Sequence, residues 1–338
     1  IFAIGFAQVK SPNEFIPTYG KQITLYHQVE DYFNHLTTQT PYVKHQKYGE
    51  TSEHRNLNLY YISTPENLAN LEQIRLQNLA SIGMAPKTSN KIGDKLIVWL
   101  SFNVHGNEWA GTESALSVAY ELANPENRTT KEWLKNTIVI LDPCLNPDGF
   151  SRYGNWLREI SGKNTNPNKF DREHAEEWPG GRYNHYVFDM NRDWAWQTQA
   201  ETKQRMAIYN QWMPHVHSDI HEQGYDSPYF FPPAAEPQHE FIEAYQKDFH
   251  KLLGKNIATK FDEKNWLYNT SERFDLFYPS YGDTYPMYNG AVGMTIEQGG
   301  IRAGREVTME NGVNLTIKER LTHHKTAVLA VVETSASQ

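Results

Sequence analysis

The chain has 338 residues, 39% of them hydrophobic, with 20 Tyr, 15 Phe and 9 Trp, enough for one large domain or two ordinary ones. Its formal charge of −8, without any basic block, argues against a general binder of nucleic acid or anionic membrane, and no stretch is long enough to span a bilayer. Cys144 is the single cysteine, so no intrachain disulfide forms; its place in an apolar run reads as a small buried hydrophobe.

Residues 1–8, IFAIGFAQ, resemble the tail of a signal peptide, a remnant that would place the protein in a secreted or periplasmic setting; residues 9–22 follow as an N-terminal segment. Helical spacing covers 23–37, a strand 57–63, and a helix 65–83. The apolar run KLIVWLSF predicts a buried strand over 95–102, followed by the turn NVHGNE and a helix over 109–123. A strand over 137–142 leads into NPDG at 146–149, which is a turn signal. Residues 155–190 are rich in Asn, Gly, Pro and charge, and a loop of that length in a compact domain is usually functional. A helix over 198–212, the strand-like HVHSDIHEQG, a helix over 237–260, an aromatic and Gly-rich stretch over 274–293, the strand GMTIEQGG and a helix over 316–333 complete the chain. This alternation predicts an α/β fold: a single-domain three-layer α/β/α sandwich with a mixed, largely parallel central sheet.

Chemistry gathers at strand ends, where open α/β sheets bind ligands. His105 and Glu108 stand three apart where KLIVWLSF has just ended, with Gly106 letting the turn form. A hydrolytic zinc needs three protein ligands and an open position for water, and two histidines with one glutamate are a recurring set. An isolated His-x-x-Glu is more often coincidence. The third ligand has three candidates in one strand: His215, His217 and His221. His217 and His221 would share a face about Asp219, and His221 lies nearest the glycine where the strand opens. Glu297 ends another apolar strand, as a general base or as a solvated strand-end carboxylate, and two glycines after it would permit close substrate approach. FDMNRDW supplies Asp189, Asn191, Arg192 and Asp193; its Arg beside Asn suits a carboxylate, whereas the bland reading is a surface ion-pair cluster.

Taken in order, HGNE, NPDG, DMNRD, DIHEQG and TIEQGG resemble the zinc carboxypeptidase family, the carboxypeptidase A-like metallopeptidases, over residues 23–335 as one catalytic domain. The resemblance implies one Zn2+ on His105, Glu108 and His221, Glu297 as general base, and Asn191 with Arg192 gripping the free C-terminal carboxylate of a peptide substrate. Asp189 matches the partner of the first zinc histidine. An arginine after NPDG should hold the oxyanion, with Arg158 in NWLRE and Arg152 as rivals. A substrate-capping tyrosine should precede Glu297, with Tyr278 and Tyr281 as rivals, and residues 279–290 should border the side-chain pocket, where the Tyr, Pro and Met content points to an apolar or aromatic preference and Asp283 keeps a basic one open. Two places depart from the family's digestive members: Asn107 replaces an arginine, and Glu222-Gln223 replace Ser-Tyr, so the outer subsites should differ. The implied activity is removal of C-terminal residues. The alternatives are a zinc amidohydrolase acting on cell-wall peptides or acyl-amino acids, and a non-catalytic binding domain.

Overall fold

The computed structural model describes residues 8–87 and 93–338, so residues 1–7 of the expected leader remnant lie outside the described residues. Among the described residues twelve strands form in chain order: β1 (Val43–Glu50), β2 (Asn56–Ile62), β3 (Leu96–Phe102), β4 (Thr137–Asp142), β5 (Val216–Gly224), β6 (Tyr229–Phe230), β7 (Ala235–Gln238), β8 (Tyr268–Asn269), β9 (Asp275–Leu276), β10 (Val292–Ile301), β11 (Glu306–Thr308) and β12 (Asn314–Thr316). Eight of them build one sheet in the order β1-β2-β4-β3-β5-β10-β6-β8. The central strands β4, β3, β5 and β10 run parallel, while β1, β2 and β6 add antiparallel pairings.

Continuous apolar runs make the parallel strands because both faces of such a sheet are covered. In β3, Val98, Leu100 and Phe102 face one core, packed by helices Tyr26–Gln39, Trp109–Ala123, Ala244–Asp262 and Ile317–Ala336. Ile97 and Trp99 alternate into a second core, under helices Leu71–Ser81 and Ala200–Trp212. The result is the predicted three-layer sandwich. No helix among the described residues is long and apolar enough to cross a membrane.

Three local expectations are corrected, and one strand is added. The helix expected over 65–83 is two, Pro65–Ala69 and Leu71–Ser81, divided at Asn70. NPDG opens a helix: Asn146 accepts a hydrogen bond from Gly149 N (2.9 Å) and Pro147 occupies the first turn, so helix Pro147–Ile160 takes up the first six residues of the expected loop. The helix expected over 237–260 begins only at Ala244, because residues 235–238 form β7. Edge strand β1 (VKHQKYGE) escapes sequence reading because its exposed residues carry no apolar alternation.

Candidate active site

The β3 run ends at Phe102, and the HGNE turn hands the chain to helix Trp109–Ala123. Gly106 is required by close packing: a Cβ there would lie 2.2 Å from Gly149 C and Phe150 N and 2.5 Å from Gly181 O. The turn is thus pressed between the start of helix Pro147–Ile160 and the long loop after it. His105 and Glu108 are nearly fully buried.

From β5, His217, Asp219 and His221 project to the same face, and the register of parallel pairing sets Glu297 of β10 directly beside His221. The three candidate histidines separate here. His215 accepts from Ile97 N (3.1 Å) at the far end of the sheet. His217 packs its ring against Trp194 and Tyr209, and burial pushes its pKa down to about 3. Only His221 joins His105 and Glu108, with ligand atoms of all three within 4.8 Å of one another.

The donor atoms are aimed. His105 Nδ1 lies 2.7 Å from Glu108 Oε1 and His221 Nδ1 lies 2.9 Å from Glu108 Oε2. Behind them, His105 Nε2 meets Asp189 Oδ1 at 3.0 Å and His221 Nε2 meets Asp219 Oδ2 at 2.9 Å. Each imidazole is therefore anchored through Nε2 by a carboxylate and presents Nδ1 to a shared point, the arrangement by which outer carboxylates orient metal-ligating histidines. Burial opposes charge on His221, yet Asp219 and Glu108 outweigh it and hold the ring's pKa well above its ordinary value. Burial likewise opposes charge on Glu108, and His105 and His221 outweigh it. Two buried imidazole nitrogens facing one carboxylate call for a shared positive charge, and nitrogen and oxygen donors in this ratio fit zinc.

Asp189 also accepts from Asn191 N (2.9 Å), which seats the short turn Met190–Arg192 at the site. Asn191 Oδ1 accepts from Gly282 N (2.8 Å), leaving its Nδ2 3.3 Å from His221 Nε2. The Arg192 guanidinium lies 4.5 Å over the Tyr281 ring. A cavity of about 500 Å3 joins these groups, and its walls include His105, Glu108, His221, Glu297, Asn191 and Arg192. Burial raises the Glu297 carboxyl well above its ordinary range; His221 opposes and Glu108 adds to this. Its Oε1 accepts from the Thr295 hydroxyl at 3.2 Å.

Several expectations are corrected. Arg152 and Arg158 do not reach the cavity: Arg152 donates to the carbonyls of Gly180 (2.9 Å), Tyr183 and Asn184, and Arg158 donates to Ile23 O (3.1 Å). The cavity arginine on that side is Arg182, which lies in the long loop and not in the residues just after NPDG. It bonds Asp189 Oδ2 at 2.9 Å and stands 3.6 Å from Glu108 Oε1. Its signal was its position inside the loop already marked as functional. Tyr281 lines the cavity, whereas the Tyr278 hydroxyl accepts from Trp196 Nε1 (2.9 Å) outside it. Asp193 holds the start of the next helix through Thr198 and Gln199. The two glycines after Glu297 make room for protein: a Cβ at Gly299 would strike Ser227 O, and one at Gly300 would strike the Glu222 carboxylate. Asp219, the partner of His221, was passed over as well, although its i, i+2 spacing to His221 was in view. Cys144 is buried as expected.

The two places that depart from digestive family members are both structural links. Asn107 donates to Glu176 (2.8 Å), tying the HGNE turn to the loop. Glu222 accepts from Ala110 N (2.7 Å) and from buried Arg320 (3.1 Å), and Gln223 donates to Pro228 O (2.9 Å).

The fold and site define a metallopeptidase-like α/β protein, and comparison with known proteins makes this specific. The family model described as zinc carboxypeptidase matches residues 29–226, and the chain belongs to that family. "Probable carboxypeptidase 2" of Arthroderma benhamiae is 30% identical over 133 residues, 39% of this chain and 20% of that protein. "Carboxypeptidase 2" of Trichophyton tonsurans is 30% identical over 128 residues, 38% of this chain and 19% of its own length. The matched part therefore spans about a fifth of these fungal relatives. A metallo-carboxypeptidase from Burkholderia cenocepacia superposes with a TM-score of 0.64 at 14% identity, over 94% of this chain and 70% of that one. Carboxypeptidase A from Helicoverpa armigera gives 0.58 at 16% identity, over 93% and 74%. At such identity these two establish the fold.

Proposed function

We propose that the protein is a zinc carboxypeptidase that hydrolyses the last peptide bond of substrates with a free C-terminal carboxylate. The observation that carries this reading is the pairing of Glu297 beside His221 across adjacent parallel strands, in the same cavity as Asn191 and Arg192. His105, Glu108 and His221 would hold Zn2+, which supplies Lewis acidity toward water and the scissile carbonyl. Glu297 takes a proton from the attacking water and delivers it to the leaving amine, a task suited to a carboxyl whose pKa is raised by burial. Arg182 offers its guanidinium to the developing oxyanion. Asn191 and Arg192 hold the terminal carboxylate, and the Tyr281 ring backs the Arg192 fork at that end.

Incubation of paired peptides, free and amidated at the C-terminus, tests this reading. Single-residue trimming of the free forms is expected, sensitive to a zinc chelator, with amidation lowering kcat/KM on the order of a hundredfold or more because Arg192 loses its partner. Equal cleavage of both forms would refute the exopeptidase reading.

Metal retention gives a second check. Asp219→Asn is expected to weaken zinc binding by about 10–100-fold, since the His221 ring loses the carboxylate that orients it. Competition with a chromogenic chelator measures this without reference to turnover; wild-type affinity would show that Asp219 plays no part in holding the metal.

A further inference from the structure

Three arginines stand in the wall of the cavity: Arg182, Arg192 and Arg273. Arg182 is paired with Asp189, and Arg192 lies over Tyr281 within 4.0 Å of the same Asp189. Arg273 differs, because it forms no ion pair among the described residues. Its polar contact is with an amide: Nη1 donates to Gln223 Oε1 at 3.2 Å.

Of the six carboxylates in the cavity wall, Glu108, Asp219, Glu222, Asp275, Asp283 and Glu297, none forms an ion pair with Arg273, and several have other partners. Glu108 faces the two histidines, Asp219 faces His221, and Glu222 is taken by Arg320 and Ala110 N. Asp275 accepts from Phe277 N, and Asp283 from the Thr284 hydroxyl. Among the described residues Arg273 thus brings to the cavity wall a guanidinium that no carboxylate pairs with.

Its placement is also held. Gln223, its partner, donates through its own amide to Pro228 O (2.9 Å) and Glu297 O (3.4 Å), so the pair is tethered to the strand that carries Glu297. On the other side, Phe274 adopts φ 58°, a left-handed conformation costly for an aromatic residue, while its ring packs 4.7 Å from Phe230. Phe230 is itself the antiparallel partner of Glu297. A chain that accepts this backbone cost to seat Phe274 fixes the residue before it at the cavity wall.

We propose that Arg273, positioned by Gln223, is a specificity-determining residue that binds a side-chain carboxylate of the substrate, separate from the terminal carboxylate held at Arg192. The enzyme then selects peptides with an acidic residue next to the scissile bond. This inference rests on the carboxypeptidase reading above, and the experiment separates the two.

Peptide pairs differing only in Glu against Gln are compared by kcat/KM, with the change placed in one series at the last residue and in another at the residue before it. In zinc-replete wild-type protein, Glu is expected to be preferred by about two- to fivefold in one series, the scale of an ion pair at an exposed arginine. The series that shows the preference locates the contacted side chain. Arg273→Gln is expected to reduce the Glu/Gln ratio to near one, Arg273→Lys to keep part of it, and Gln223→Leu to lower it by freeing the guanidinium. Because the readout is a ratio within one protein, partial loss of folded enzyme does not imitate it. Cleavage of both members at equal rates in wild type, or a ratio unchanged in Arg273→Gln, overturns the subsite and leaves the carboxypeptidase reading standing. Absence of cleavage in every pair overturns both.

Discussion

Glu297→Gln protein is expected to bind zinc at the wild-type stoichiometry and to lose turnover by about 10²–10⁴-fold, the range that a positioned general acid–base group contributes. The substitution keeps shape and polarity: the amide oxygen can still accept from the Thr295 hydroxyl, as the carboxylate does at 3.2 Å. It removes the one function in question, uptake and release of a proton. Folding should not suffer, because burial penalises the charged carboxylate and Glu108 adds like-charge repulsion. The melting temperature should stay level or rise, while kcat falls and metal content holds. Loss of zinc in parallel with activity would mean that Glu297 supports the metal instead, and activity within a few-fold of wild type would move the base elsewhere.

The place of Glu297 in the cavity was legible in the sequence: a carboxylate at the end of a buried run, ahead of a glycine pair. The same logic found His105, Glu108 and His221, and buried runs such as LIVWLSF and TIVILD located the central strands to within a residue. What escaped was decided by side chains meeting across large sequence separations. Arg152 and Arg158 follow NPDG, but the helix NPDG opens turns Arg152 onto the carbonyls of residues 180–184 and Arg158 onto Ile23. No local pattern separates an arginine that props a loop from one that faces the cavity. The glycine pair after Glu297 escaped in a similar way, since what Gly299 and Gly300 make room for, Ser227 O and the Glu222 carboxylate, is distant in sequence. Gly282 leaves space for Asp219, since a Cβ there would lie 1.9 Å from its Oδ2, so this glycine serves the histidine anchor. Polar edge strands and the break at Asn70 were invisible because tertiary pairing, more than periodicity, decides them.

The loop over 161–199 carries the second large effect, and it concerns Arg182. Arg182→Met is expected to lower kcat by about 10²–10³-fold with little change in KM, the signature of a donor used chiefly as charge develops on the scissile carbonyl. Methionine preserves much of the apolar stem and removes the fork that reaches Asp189 at 2.9 Å. That pairing introduces a competing explanation, since Asp189 also orients His105. Zinc content measured on the same sample divides the cases: a kcat loss with the metal retained assigns Arg182 to the reaction, and a loss that tracks released zinc assigns it to the support of His105. Arg158→Met, made in parallel, should leave kcat near wild type because that side chain is spent on Ile23 O. Arg152→Met should fall between them, lowering activity and melting temperature together, because three carbonyls around Arg182 lose their donor. If Arg158→Met lost more kcat than Arg182→Met, the oxyanion contact would belong to helix Pro147–Ile160, and the loop could not occupy the position seen here during turnover.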